Sequence, residues 1–142
     1  FGDFVKVQPE NVVIIAARDL DAGEVELIKR LNVSAYTMFD IDKRGIYPII
    51  AEVVEKLRAQ VDHLHVSFDL DGVDPLVAPG VGTPVPGGLS FREAHFVMEY
   101  LAETQMVGSL DVTEVNPILD TRNSTAVFAT EVVSSCMGKR IL

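Results

Sequence analysis

The chain has 142 residues and a mass of 15.5 kDa, with 48% apolar and 23% charged residues and 12 basic against 21 acidic side chains, for a formal net charge of −9. That is the size and make-up of one ordinary globular domain, which excludes a disordered or collagen-like chain. No apolar run reaches the ~18 residues that span a bilayer. No dense Lys/Arg cluster offers a nucleic-acid footprint, and the lone Cys136 excludes an internal disulfide framework or a CxxC zinc site. Neither a membrane nor a nucleic acid is therefore expected as a partner, and a reducing compartment fits.

The opening Phe1-Gly2-Asp3-Phe4 has no initiator Met and none of the features of a signal peptide, so a processed or truncated chain is expected. From there, two kinds of segment alternate. Val12–Ala17 is a short continuous apolar run, as in a parallel strand buried on both faces. Asp21–Leu31 follows with Val25, Leu27, Ile28 and Leu31 at helical spacing, Asp21 as N-cap and Glu24 in capping-box position. Val33–Phe39 reads as the second strand. A long helix is expected from Asp42 to about Ala59, with Ile46, Ile49, Ile50, Val53, Val54 and Leu57 on its buried stripe and Pro48 near its first turn.

Leu64–Leu70 reads as the third strand. The stretch from Asp71 to Leu89 holds four prolines and five glycines, and a loop of that length in a compact domain is usually functional. Ser90 and Glu93 form a capping box opening a helix to about Glu103. Met106–Val115 is the fourth strand, and a last helix spans roughly Thr121–Met137 with Gly138 as its stop. The order βαβαβαβα without a hairpin signal predicts an α/β fold, three layers α/β/α around a parallel sheet with right-handed crossovers.

Ligands of open α/β sheets bind outside the carboxyl ends of the strands. The first strand ends in Arg18-Asp19-Leu20-Asp21, the second in Phe39-Asp40, the third in Asp69-Leu70-Asp71-Gly72-Val73-Asp74-Pro75 and the fourth in Glu114-Val115-Asn116-Pro117. Carboxylates thus gather at one sheet edge, where a cation makes like charges compatible. Asp69 and Asp71 alternate onto one side of an extended strand, ~6.6 Å apart, within reach of one metal or a metal pair. Two solvated turn carboxylates with Asx hydrogen bonds would show the same DxD pattern. Glu114 suits a planar guanidinium, or equally a cap or salt bridge. Asp19, Asp21 and Glu24 lie at a helix start, where acidic side chains favour the dipole in any case. His65 lies ~13 Å from Asp69 along an extended strand, too far for a shared metal shell, so His63 and His65 read as structural. His95 reads as surface or core-edge, and Cys136 as a buried thiol. The glycines of the loop do not precede a Lys-Ser/Thr pair, so no phosphate loop is present.

The run Ser67-Phe68-Asp69-Leu70-Asp71-Gly72-Val73-Asp74-Pro75, continuing through Ala78-Pro79-Gly80-Val81-Gly82-Thr83-Pro84 to Gly87-Gly88-Leu89, closely resembles the ureohydrolase signature. That family includes arginase, agmatinase and formimidoylglutamase. Arg18-Asp19-Leu20-Asp21-Ala22-Gly23-Glu24 and Glu114-Val115-Asn116-Pro117 resemble the arginase branch. The resemblance implies that Asp69 and Asp71 ligate a pair of manganese ions, that a hydroxide held by these metals attacks the guanidinium carbon, and that Glu114 orients the guanidinium. It implies that Thr83 lines the same pocket, that Asp21 and Glu24 recognise the substrate α-amino end with Asp19 close by, and that Asp74 is structural. The substrate implied is L-arginine, hydrolysed to L-ornithine and urea in a cytoplasmic homo-oligomer, a trimer or hexamer. Family members are about twice as long and carry further metal-binding and proton-shuttling residues in their first half. Residues 1–142 therefore read as the C-terminal part of a single arginase-like α/β domain, inactive on its own. Agmatinase or another ureohydrolase, and a non-catalytic binding or oligomerisation module, are the competing readings.

Overall fold

The computed structural model describes residues 6–140, so the opening Phe1-Gly2-Asp3-Phe4 lies outside the described residues. Among the described residues, four parallel-paired strands alternate with five α-helices: β1 (Val13–Ala17), α1 (Ala22–Leu31), β2 (Ser34–Thr37), α2 (Met38–Arg44), α3 (Ile46–Arg58), β3 (Leu64–Asp69), α4 (Phe91–Thr104), β4 (Val107–Thr113) and α5 (Ser124–Cys136). The α/β class and the order of the main elements are those expected.

The capping boxes behave as local chemistry dictates. Asp21 accepts from the Glu24 amide at 2.8 Å while Glu24 accepts from the Asp21 amide at 2.8 Å, satisfying two N–H groups that the first turn leaves free. Ser90 and Glu93 do the same for α4.

Two expectations fail between residues 33 and 59. The second strand stops at Thr37 rather than Phe39, because Thr37 and Asp40 form a third capping box that starts α2. The long helix is two helices, broken at Gly45, whose φ of +81° lies outside helical space and is open to glycine alone at little cost. Pro48 then falls in the first turn of α3, where its missing N–H is harmless. The last helix starts at Ser124, three residues later than expected.

The strands form two separate two-stranded parallel sheets, β1–β2 and β3–β4, instead of one continuous sheet. With one neighbour each, they are not buried on both faces. Of β1 only Ala16 is buried, at 3% exposure, and it sits at a register irregularity with φ +68°. Along α1, Leu27 and Leu31 stay 44% and 43% exposed, so the apolar stripe read from its spacing faces solvent in part.

The core is nevertheless one cluster. Ile49, Ile50 and Val54 of α3, Met98 and Ala94 of α4, Phe128 and Val132 of α5, and Leu70, Val73 and Val81 around the long loop are all essentially buried and packed together. Val66, Phe68, Leu110 and Val112 turn the inner face of β3–β4 toward it. The other face is polar and open to solvent: His65 meets Ser109 at 2.7 Å and Asp111 at 3.0 Å, and Ser67 donates to Asp111 at 2.6 Å. His65 thus pairs with β4 and makes no hydrogen bond to Asp69 or Asp71. His95 departs from expectation: it is buried at 7% exposure, with Nδ1 2.9 Å from the Ser135 hydroxyl and its ring in the Phe91–Phe128 cluster.

Candidate functional site

Parallel pairing sets Asp69 of β3 opposite Thr113 of β4, so the residues that follow both strands leave from the same carboxyl edge. Asp71 and Glu114 follow there, and Arg18 to Asp21 follow β1. The loop from Asp71 to Leu89 folds back over this edge and is tied down at several points.

Its two ends are drawn together by Asp74, which accepts from the Leu76 amide at 2.9 Å and the Gly87 amide at 2.8 Å. Those amide bonds hold its carboxyl below the usual carboxylate range. Asp74 N–H also donates to Leu89 and Leu89 N–H to Gly72, each at 3.0 Å. Gly88 is required at this closure: a Cβ there would lie 2.6 Å from the Val73 carbonyl carbon. The loop middle is held by the start of α5. Gly80 N–H donates to the Thr125 hydroxyl at 2.7 Å, and that hydroxyl donates to Asp120 at 2.9 Å. Asp120 also accepts from the amides of Thr121, Thr125 and Ala126, and these bonds, outweighing the opposing effect of burial, lower its pKa. Asn116 N–H donates to Gly80 at 2.7 Å, fastening the segment after β4 to the same point.

Asp69 and Asp71 do not both stand on an extended strand. β3 ends at Asp69, and Leu70–Gly72 is a single 3-10 turn capped by Asp69, whose Oδ1 accepts from the Asp71 amide at 2.9 Å. The Asx bond of a turn carboxylate is therefore present, and the extended spacing of the pair is not. One Asp71 oxygen, Oδ2, accepts from the Thr83 hydroxyl. The other, Oδ1, is buried and has no hydrogen-bond partner. An unpaired buried carboxylate oxygen is costly in a protein, and a cation is one partner that satisfies it.

Glu114 is exposed at the end of β4 with φ +66°, a left-handed backbone that a non-glycine residue adopts only at a cost. Its carboxylate lies along the loop: a Cβ on Gly82 would be 3.3 Å from Glu114 Oε2. Asp71, Thr83, Gly82 and Glu114 therefore form one continuous wall. Asp21 and Glu24 each spend an oxygen on the reciprocal cap of α1 and remain exposed, as does Asp19. Beside them, Ala17, Arg18, Leu20, Thr37, Met38 and Phe39 line an open depression of about 410 Å³ beyond the ends of β1 and β2.

Arg18, at the carboxyl end of β1, reaches the loop. Its Nε and Nη2 donate to the Val85 carbonyl at 3.1 and 2.7 Å, and Nη2 also donates to the Asp71 carbonyl. Asp120 and Thr125 carried no sequence signal beyond the helix start that Asp120 precedes.

Among the described residues no group of three or more His, Cys, Asp or Glu side chains can hold a metal ion. The carboxylate oxygens of Asp69 and Asp71, the orphaned Asp71 Oδ1 first, are of the donor class that a hard divalent cation takes, and further donors have to come from elsewhere.

The model of the Arginase family matches residues 3–138. A curated arginase of Brevibacillus brevis is 50% identical over 137 residues, which are 96% of this chain and 46% of the relative. Among solved structures, arginase from Bacillus caldovelox superposes with a TM-score of 0.94 at 46% identity, covering 96% of this chain and 46% of that one. Formimidoylglutamase from Bacillus subtilis superposes with a TM-score of 0.88 at 26% identity, over 95% and 44% of the two chains. The chain thus spans about half the length of the relatives it matches.

Proposed function

The chain belongs to the Arginase family, and we propose that it supplies the Asp69–Asp71–Glu114 side of an active site that hydrolyses L-arginine to L-ornithine and urea with manganese as cofactor. The observation that carries this reading is the orphaned Asp71 Oδ1 on the wall that Glu114 completes.

Asp69 and Asp71 would hold manganese, two ions per complete site, whose Lewis acidity makes water nucleophilic near neutral pH. The exposed Glu114 carboxylate accepts two parallel N–H bonds from the planar guanidinium and turns its carbon toward the carboxylate pair. Thr83, donating to Asp71 Oδ2, fixes the carboxylate rotation that leaves Oδ1 free. Water adds to the guanidinium carbon, the bond from that carbon to the side-chain nitrogen breaks, and the departing nitrogen takes a proton, giving urea and ornithine. Asp21 and Glu24 each keep one oxygen clear of the cap, and Asp19 stands beside them; these carboxylates suit the substrate α-ammonium group. Agmatine keeps the same ammonium group and lacks only the α-carboxylate, so these acidic side chains do not by themselves separate it from arginine, and the assay below does. A cytoplasmic, homo-oligomeric enzyme is part of this proposal, and the single thiol, Cys136, accords with a reducing setting.

The likeness to formimidoylglutamase keeps a second ureohydrolase substrate in view. The test is a chimera of this chain with the part of the Brevibacillus brevis arginase that the match leaves uncovered. It is assayed with L-arginine, agmatine and N-formimidoyl-L-glutamate, with manganese and after chelation. Urea from L-arginine alone, lost on chelation and restored by manganese, is expected. A preference for either of the others, or turnover that survives chelation, overturns the reading.

A further inference from the structure

We propose that Arg18 is the positioning residue of this site: by gripping the main-chain carbonyls of Asp71 and Val85, it sets the direction in which the Asp71 carboxylate meets a cation. The cation part of this inference rests on the function proposed above; the grip on the loop does not.

Asp71 is held at three atoms by three different residues. Its N–H donates to Asp69 Oδ1 at 2.9 Å, its carbonyl accepts from Arg18 Nη2, and its Oδ2 accepts from Thr83. The first two bonds pin the peptide planes on either side of its Cα, and the third fixes the side-chain rotation. Only Oδ1 is left over. Of the three, Arg18 is the one that comes from a different sheet, at the end of β1, 53 residues away in sequence.

The same guanidinium supports Thr83 indirectly. Residues 82–84 and 86–87 are exposed, and between Gly82 and Pro86 the described hydrogen bonds to the rest of the chain are those of Thr83 to Asp71 and of Arg18 to Val85. Release of Val85 would free the segment that carries the Thr83 hydroxyl. Arginine suits this task because its fork presents several N–H donors in one plane, two of which here converge on the Val85 oxygen. Its partners are neutral carbonyls, and it makes no ion pair among the described residues. The carboxylate oxygens of the site are thereby left for a cation instead of being consumed by the guanidinium.

The test combines amide hydrogen exchange with manganese titration calorimetry. Arg18→Lys, Arg18→Met and the control Arg92→Met, which breaks only an exposed pair with Glu99 on α4, are compared with the unaltered sequence. In the 142-residue chain, amides 80–87 should exchange about 10-fold faster in Arg18→Met, less so in Arg18→Lys, and unchanged in Arg92→Met. In the chimera, loss of a residue that orients a metal ligand should weaken manganese binding by about 10-fold or more. Arg18→Lys should recover part of that affinity, and at saturating manganese KM for arginine should move less than kcat. If Arg18→Met unfolds the chain globally, Arg18→Lys decides: loop exchange equal to the unaltered chain overturns the grip. Faster loop exchange with unaltered manganese affinity overturns the positioning role. A chimera that binds manganese but releases no urea from any guanidino substrate sinks the proposed reaction, while the exchange and calorimetry still decide for or against Arg18.

Discussion

Thr83 donates its hydroxyl to one oxygen of Asp71 and leaves the other oxygen of the same carboxylate buried without a partner. A fold that keeps such a group keeps a local penalty, which neutralisation removes. Asp71→Asn should therefore unfold in urea at a concentration no lower than the unaltered chain, with a gain of about 1 kcal/mol at most. In the chimera it should at the same time abolish manganese binding. Denaturation of the chain and calorimetry of the chimera check this; a clear loss of stability with metal binding retained would remove Asp71 from the site.

Glu114 offers a parallel case in the backbone. Its φ of +66° is unfavourable for any residue with a Cβ. Glu114→Gly and Glu114→Ala both lack the carboxylate, so their difference isolates the backbone. Glu114→Gly should be the more stable by about 1 kcal/mol, read as a higher urea midpoint. In the chimera, Glu114→Gln should cut turnover by about 100-fold with manganese content near normal, since a group that pairs with guanidinium is lost and a metal donor is not. Loss of metal in Glu114→Gln would instead make Glu114 a ligand.

Gly80 meets Asp120 so closely that a Cβ at Gly80 would sit 2.5 Å from Asp120 Cβ and 2.9 Å from its Cα. Backbone atoms cannot swing away as a side-chain tip can. Gly80→Ala should cost on the order of 1–3 kcal/mol, while Gly72→Ala, whose Cβ meets nothing within 4 Å, should cost much less. Equal urea midpoints for the two variants would contradict the packing of the loop on Asp120.

Acid should destabilise the chain in two steps. Burial depresses the His95 pKa, so the folded state binds fewer protons there than the unfolded chain; stability is lost as pH falls from about 6.5 through the lower folded value. Glu99 and Glu131 oppose that depression, while Arg92 and Lys139 reinforce it. Asp74 and Asp120 are also depressed, and their contribution, present above the unfolded carboxylate pKa of about 3.9, is lost below it. His95→Gln should flatten the upper step and Asp74→Asn part of the lower one, read from urea midpoints between pH 8 and 3. A profile unchanged by either variant would remove these groups as the cause.

Expectations drawn from neighbours a few residues apart fared well. Asp21 with Glu24 and Ser90 with Glu93 formed their reciprocal caps because both partners lie within one turn, whatever the rest of the chain does. Thr37 with Asp40 obeys the same rule, but it sits inside an apolar run read as strand, and a helix start won over the continuing apolar pattern. The break at Gly45 was hidden in the same way: Ile41 and the Ile49–Leu57 stripe are all buried, so apolar spacing bridged a turn that only backbone geometry reveals.

The amino-acid sequence by itself determined the α/β order, two of the three capping boxes and the family motif around Asp69, Asp71 and Glu114, because each is encoded in short-range spacing or contiguous residues. Only the tertiary structure decided which Asp71 oxygen stays free, for that depends on Thr83 from 12 residues away and on the Arg18 grip from 53. It also decided that Gly80 is held by Thr125, 45 residues on, and that the strands divide into two sheets. Hydrogen bonds over such separations form only once packing has brought the segments together, and the amino acids at either end look the same whether or not that happens.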